Sequence, residues 1–287
     1  MFRSLANDLL GNTMLFWNLF LDGLHIWAKL SLLAIGYALV YVELRMINFA
    51  YGEIVTFAAY ISYFLSERVI LPFFLCVTLA LAASVALSLI IERFAYRPLY
   101  GRDRLSLLIS SIAVSIILQN SYAVVFGSNT MVYQSVALPL WVPPTISATL
   151  IVLLLLLLKQ TRFGRQVKGV ADSRVLAEIV GVNSTRTIQG IFVLGGVLAC
   201  GTGIIEGMDH GVEPTMGFNL ALAAFIAAVL GGLRSVTGAI GGSLAFSMIL
   251  AFSAPFVRIP RELLIFLALI AVVLIRQRLA RGIGSFS

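Results

Sequence analysis

The sequence predicts an all-α, polytopic membrane protein with about eight or nine transmembrane helices, in one transmembrane domain across residues 1–287. Composition is the first observation behind this: 60% of the chain is hydrophobic and 11% is charged, against roughly 25% charged residues in an average soluble domain. A mean hydropathy of +1.01 leaves too little polar surface to cover a soluble fold. Second, charge-free stretches run over 69–91, 105–158, 187–205, 214–233 and 235–257, with shorter ones over 30–42, 54–66 and 263–275. Third, basic residues collect in a few short intervals between these stretches, the bias that marks cytoplasmic loops.

Each span follows from the gaps between charges, because an ionised side chain at the bilayer centre costs at least about 2.5 to 3.5 kcal/mol. A helix needs about 20 residues to cross roughly 30 Å of hydrocarbon. The shorter stretches therefore extend into flanks such as 25–28 or 46–52. The stretch 105–158 holds two spans, divided by the polar, Pro-containing segment 127–145. The first 27 residues carry Arg3 and an apolar run but no clear small-x-small cleavage site, so they read as a retained segment.

Orientation follows from the basic residues. Arg93, Arg97, Arg102 and Arg104 mark one cytoplasmic loop. A second, at about 159–187, carries Lys159, Arg162, Arg165, Lys168, Arg174 and Arg186, and the tail carries Arg276, Arg278 and Arg281. Alternation then puts 127–145 and 206–213 outside, Arg234 inside, and Arg258 with Arg261 outside as the exception. A single span over 25–45 places the amino terminus outside, and a further span over 6–24 places it inside. The net charge, 20 basic minus 13 acidic residues or +7, is spread over separate loops and forms no basic face for nucleic acid. Cys76 and Cys200 both sit in apolar stretches, where a thiol acts as a small hydrophobe and supports neither a disulfide framework nor a zinc site.

Four segments are candidates for function. Within the second basic loop, Val170, Val175, Leu176, Ile179 and Val180 recur at near-helical spacing, and Gly181 stands where a C-cap ends a helix. This amphipathic helix either lies on lipid head groups or docks a cytoplasmic partner through Asp172, Arg174 and Glu178 at its rim. On the span that begins at Leu105, Ser111, Ser115, Gln119 and Tyr122 share a face. Polar groups there must meet protein or water, so they serve interhelical hydrogen bonds or line the path of a polar solute. Asn48 and Glu53, at a break over 48–52, are further pathway candidates, with Glu53 alternatively at the inner interface beside Arg45. The segment GIIEGMDHGVEP gathers Glu206, Asp209, His210 and Glu213; a solvated outer loop is the default reading, ahead of a metal or acid/base cluster. Small residues at Ala199, Gly203, Gly207 and Gly211, and again at Gly238 and Gly242, predict close helix packing.

Four stretches together resemble the branched-chain amino-acid permeases of ABC importers: MINFAYGEIVTFAAY (46–60), RPLYGRDRLSLLISSIAVSIILQN (97–120), FGRQVKGVADSRVLAEIVGVNSTRT (163–187) and AFIAAVLGGLRSVTGAIGGSLAFSM (224–248). They stand in family order over most of the chain. The family often has His after the Asn-Phe-Ala of the first stretch, where this chain has Tyr51. The resemblance implies an ABC-importer permease fold in which the loop at about 159–187 is an ATPase-coupling loop, with Asp172, Arg174, Glu178 and Gly181 in the coupling segment. It also implies a second permease subunit, generally a different chain, two cytoplasmic ATPases that carry the ATP-Mg, and an extracytoplasmic solute-binding protein, in a bacterial-type inner membrane. No G-x-x-x-x-G-K-[ST] phosphate loop occurs in the sequence, so hydrolysis falls to the partner subunits and the chain needs no cofactor of its own. Import of urea or short amides is the near alternative. An ion-coupled transporter would carry ionisable groups at mid-membrane, and an intramembrane enzyme would need a nucleophile or metal constellation that two histidines do not supply.

Overall fold

A computed structural model of the chain describes residues 2–134, 139 and 141–255. In lipid a helix satisfies its backbone within one segment. Among the described residues, helices are accordingly the regular elements, apart from one isolated antiparallel bridge between Met131 and Val212. They are α1 (Phe2–Leu44), α2 (Tyr51–Tyr63), α3 (Phe73–Ile91), α4 (Arg104–Phe126), α5 (Val142–Gln160), α6 (Arg162–Asp172), α7 (Arg174–Ile179), α8 (Ser184–His210), α9 (Met216–Gly231) and α10 (Val236–Ser253). Single π-helical turns at Phe64–Arg68 and Glu92–Tyr96 continue α2 and α3.

Six described segments are long and apolar enough to cross a membrane: Met14–Leu44, Phe73–Leu99, Leu105–Phe126, Val142–Gln160, Ser184–His210 and Val236–Ser253. α9 is apolar but shorter. The stretch 263–275, Arg258, Arg261 and the tail arginines lie outside the described residues, as does part of 127–145.

The first helix organises the rest. It runs unbroken over 43 residues, about 65 Å at roughly 1.5 Å per residue, so a separate span over 6–24 has no turn to end it. α1 lies antiparallel to α8, with Lys29 beside Glu206 and Asp209 near the carboxyl end of α8. The amino terminus of α8 follows the basic loop, so the amino end of α1 lies toward the opposite end of the bundle. Leu30, Leu32, Leu33, Ile35 and Leu39 are all buried among α5, α8, α9 and α10, because this part of the helix is apolar on every face. α1 stops where Arg45 takes φ 52°, a left-handed conformation that ends a helix. α4 and α5 sit at the periphery, with Ile109, Ile116, Val124, Val152 and Leu153 exposed as a lipid-facing surface requires.

Glycine packing brings the helices close, as the small-residue spacing predicts. A Cβ at Gly203 would overlap the Val55 carbonyl oxygen of α2, and one at Gly231 would overlap the Gly238 backbone across the α9–α10 turn. Cys76 and Cys200 are buried and free. The amphipathic helix of the basic loop departs from expectation: it is two helices, split at Ser173, whose hydroxyl caps α7 by accepting from the Leu176 N–H at 3.3 Å. Serine competes for local backbone donors and so favours a cap over a helix interior.

Gly203→Val is expected to destabilise the fold by about 1–3 kcal/mol through overpacking, whereas Gly241→Ala, with open space around it, is neutral. The temperature at which half of the detergent-solubilised protein stays monodisperse measures both.

Candidate functional site

Three regions hold the residues singled out in the sequence. In the basic loop, α6 anchors itself by burying Val167 and Val170, while α7 leaves Val175, Leu176, Ile179 and Val180 between 64% and 79% exposed. Arg174 at the start of α7 donates from Nε to Glu178 Oε1 at 3.1 Å and lies 5.5 Å from the centre of the Tyr100 ring, within cation–π range. Tyr100 in turn donates its hydroxyl to Glu92 Oε1 at 3.0 Å, and Gln189 of α8 donates to Glu92 Oε2 at 3.4 Å. Asp172 is exposed at the end of α6. Gly181 turns the chain out of α7 at φ 88°, a conformation glycine adopts without penalty.

The interior polar residues are held within the chain. Asn48 Oδ1 accepts from the Tyr96 hydroxyl at 2.5 Å. The Ser115 hydroxyl donates to Glu53 Oε1 at 2.8 Å, and Tyr122 donates to the Glu53 carbonyl at 3.0 Å. Ser111 donates to the Leu108 carbonyl at 2.7 Å and accepts from the Phe49 N–H at 3.4 Å. The polar face of α4 thus meets the break before α2 and the first turn of α2; Gln119, farther along, is half-buried. Glu53 is wholly buried, with its carboxylate against α4. Tyr51, at the position where the resembling permeases often have His, donates to the Gly195 carbonyl at 3.0 Å and packs edge-on against Tyr37.

At the end of the bundle away from the basic loop, the segment 206–210 is the last turn of α8, where a loop was expected. Lys29 Nζ lies 2.7 Å from Glu206 Oε2 and 2.9 Å from Asp209 Oδ2, with only 4% of its side chain exposed. His25 Nε2 lies 2.6 Å from Asp209 Oδ2, and His210 Nδ1 lies 3.2 Å from Glu206 Oε1. Ligand atoms of Glu206, Asp209 and His210 fall within 4.8 Å of one another, the closeness a metal would need. The Lys29 ammonium already supplies the cation for two of them, so an ion-pair network accounts for the cluster. Beside it, a cavity of about 290 Å³ opens between α1, α8, α9 and α10.

Lys29 and His25 are absent from the sequence-derived candidates. The available signal is a lysine at the edge of the charge-free run 30–42, where a membrane-spanning helix calls for a carboxylate partner. The partner's identity, 177 to 180 positions away by residue number (206 − 29 and 209 − 29), is set by the antiparallel packing of α1 on α8.

Residues 19–275 match the protein family described as branched-chain amino acid transport system / permease component. The high-affinity branched-chain amino acid transport system permease protein BraD of Pseudomonas aeruginosa is 34% identical over 261 residues, covering 81% of this chain and 84% of that one. The corresponding LivH protein of Escherichia coli is 30% identical over 280 residues, covering 88% and 91%. A probable branched-chain amino acid transport permease protein LivH of Methanocaldococcus jannaschii is 26% identical over 244 residues, covering 77% and 76%.

Lys29→Met is expected to destabilise the protein by about 1–3 kcal/mol, because it leaves two partly buried carboxylates with only His25 and His210 as partners. Adding Glu206→Gln and Asp209→Asn to it should recover most of that loss. Thermal unfolding of the single and triple variants in nanodiscs gives the comparison.

Proposed function

The chain belongs to the family of branched-chain amino acid transport system permease components, and on that premise we propose that it is the membrane-spanning permease subunit of an ATP-driven importer. Its cargo is a branched-chain amino acid, moved by alternating access. It works with a second permease subunit in a heterodimer, two cytoplasmic ATPases that bind ATP-Mg, and an extracytoplasmic solute-binding protein. The setting is the inner membrane of a bacterial-type cell. In this reading α2, completed by its π-helical turn, and α9 also cross the bilayer, giving the eight or nine spans that the charge pattern predicts.

The observation that carries the proposal is the α6–α7 loop. Four large apolar side chains on a short helix, exposed on the basic side of the protein, are the mark of a surface that a partner covers. Val167 and Val170 fix the base of the loop, so α7 projects from a rigid mount. A push on α7 is carried by Arg174 to Tyr100, from Tyr100 to Glu92 at the end of α3, and from Glu92 to Gln189 on α8. α8 is a core helix and α3 packs against it, so displacement of the ATPases is delivered to the elements that would rearrange between outward-open and inward-open states. Such a transfer requires different α7 contacts in the two states. Asp172, Arg174, Glu178 and Gly181 belong to this coupling surface, Gly181 as the turn that sets its end. Asn48, Glu53, Ser111, Ser115 and Gln119 are proposed to border the path, through movements of the α2–α4 contact that they hold together.

Replacing residues 171–180 with a flexible Gly/Ser segment is expected to abolish ATP-driven uptake in reconstituted vesicles while the chain still inserts. Arg174→Glu should lower uptake by about tenfold or more, because it reverses the charge at the docking rim and removes the contact with the Tyr100 ring. Full uptake after the segment replacement would remove the docking assignment.

A further inference from the structure

We propose that the exposed face of α4, centred on Asn120, is the surface against which a membrane helix of the second permease chain packs. This inference rests on the importer reading and adds where its two membrane subunits meet. α4 is the least buried of the six long apolar segments. It holds to its own chain by one face, on which Leu107, Ser111, Ser115 and Tyr122 are buried. On the other face Ile109, Ala113, Ile116, Asn120 and Val124 are exposed.

The apolar members of that face would suit lipid, and Asn120 would not. Its Nδ2 donates one hydrogen bond, to the Ile116 carbonyl at 2.7 Å, whereas a side-chain amide offers two N–H donors and an acceptor oxygen. Among the described residues the second N–H and Oδ1 have no partner, and the neighbouring half-buried Gln119 amide makes no hydrogen bond at all. The exposed Thr78 of α3 and Thr149 of α5 differ, because each closes its single donor onto its own helix, at 3.0 and 2.8 Å. The segment Leu105–Phe126 has 22 residues, about 33 Å at roughly 1.5 Å per residue. Asn120 therefore stands about 9 Å inside the Phe126 end, within a hydrocarbon layer of roughly 30 Å, where an amide has to meet another protein group. The exposed positions are four, three, four and four residues apart, the spacing by which one helix seats its side chains between those of another. Ala113 lets a partner backbone approach closely, and an amide in such a seam hydrogen-bonds across it and fixes its register. In the importer the solute-binding protein and the ATPases lie outside the lipid, so the second permease is the subunit that can bring a helix to this depth.

The test uses the complete complex of both permeases and both ATPases in nanodiscs, with the photoreactive residue p-benzoylphenylalanine placed singly at Ile116 or Val124 of α4, at Leu79 of α3, or at Leu153 of α5. Mass spectrometry of the cross-linked peptides is expected to find the second permease chain from the α4 positions and lipid from the other two. Asn120→Leu removes the amide but leaves a side chain that lipid accepts, so it should weaken association of the two permeases by about fivefold or more, read by subunit exchange, while the thermal stability of the chain alone is unchanged. Asn120→Gln, which keeps an amide, should retain most of the association. Cross-links from α4 only to lipid or to a second copy of this chain, capture of the second permease from α3 or α5 instead, or full association of Asn120→Leu would each overturn the α4 assignment alone. A purified, transport-active assembly that contains no second permease chain overturns the heterodimer reading and this inference with it.

Discussion

A bilayer offers no water to a stranded polar group, and that constraint shapes this protein more than any other. Lys29 on the outer half of α1 shows what it demands: an ammonium with 4% of its side chain exposed, compensated by Glu206 and Asp209 of α8. The pairing fixes how α1 lies against α8 and so sets the frame on which α9 and α10 pack. Asn48, Glu53, Ser111 and Ser115 obey the same rule deeper in the fold, where each polar side chain finds a hydrogen-bonding group on a neighbouring segment or within its own helix. Hydrogen bonds of this kind are individually modest in membranes, about 0.6 kcal/mol on average. Their larger effect is to exclude arrangements in which a polar group would face lipid.

The surface at the cytoplasmic end breaks the pattern in a directed way. α7 carries apolar side chains into a region where water is available, while its charged residue Arg174 is turned back onto Tyr100 and Glu178. That inversion gives the chain a rigid handle outside the membrane. The Tyr100–Glu92–Gln189 contacts then link the handle to α3 and to the buried helix α8. A transporter without its own phosphate-binding loop needs such a connection, because the energy has to enter as motion of another subunit.

Much of this architecture is legible in the sequence, and what is not has a physical cause. Charges are expensive in lipid, so the gaps between them locate the long helices directly. The glycine spacings announce close packing, which Gly203 against Val55 and Gly231 against Gly238 display. The i, i+4 face of Ser111 and Ser115 is equally visible, but its partners near Phe49 and Glu53 are about 60 positions away and follow from tertiary packing. For the same reason Glu206, Asp209 and His210 read as an outer loop: Gly207 and Gly211 suggest a broken helix, yet packing against α1 holds α8 together through His210. The division between α6 and α7 turns on one serine choosing a cap over a helix interior, a local competition that apolar periodicity does not register.

The central claim is that the chain acts as one subunit of an ATP-driven assembly. Its most direct test is gentle solubilisation from native membranes, affinity capture through a carboxyl-terminal tag, and mass spectrometry of the proteins that come with it. The account predicts recovery of an ATPase together with a second permease chain. A reproducibly solitary chain that transports amino acids when reconstituted alone would contradict it.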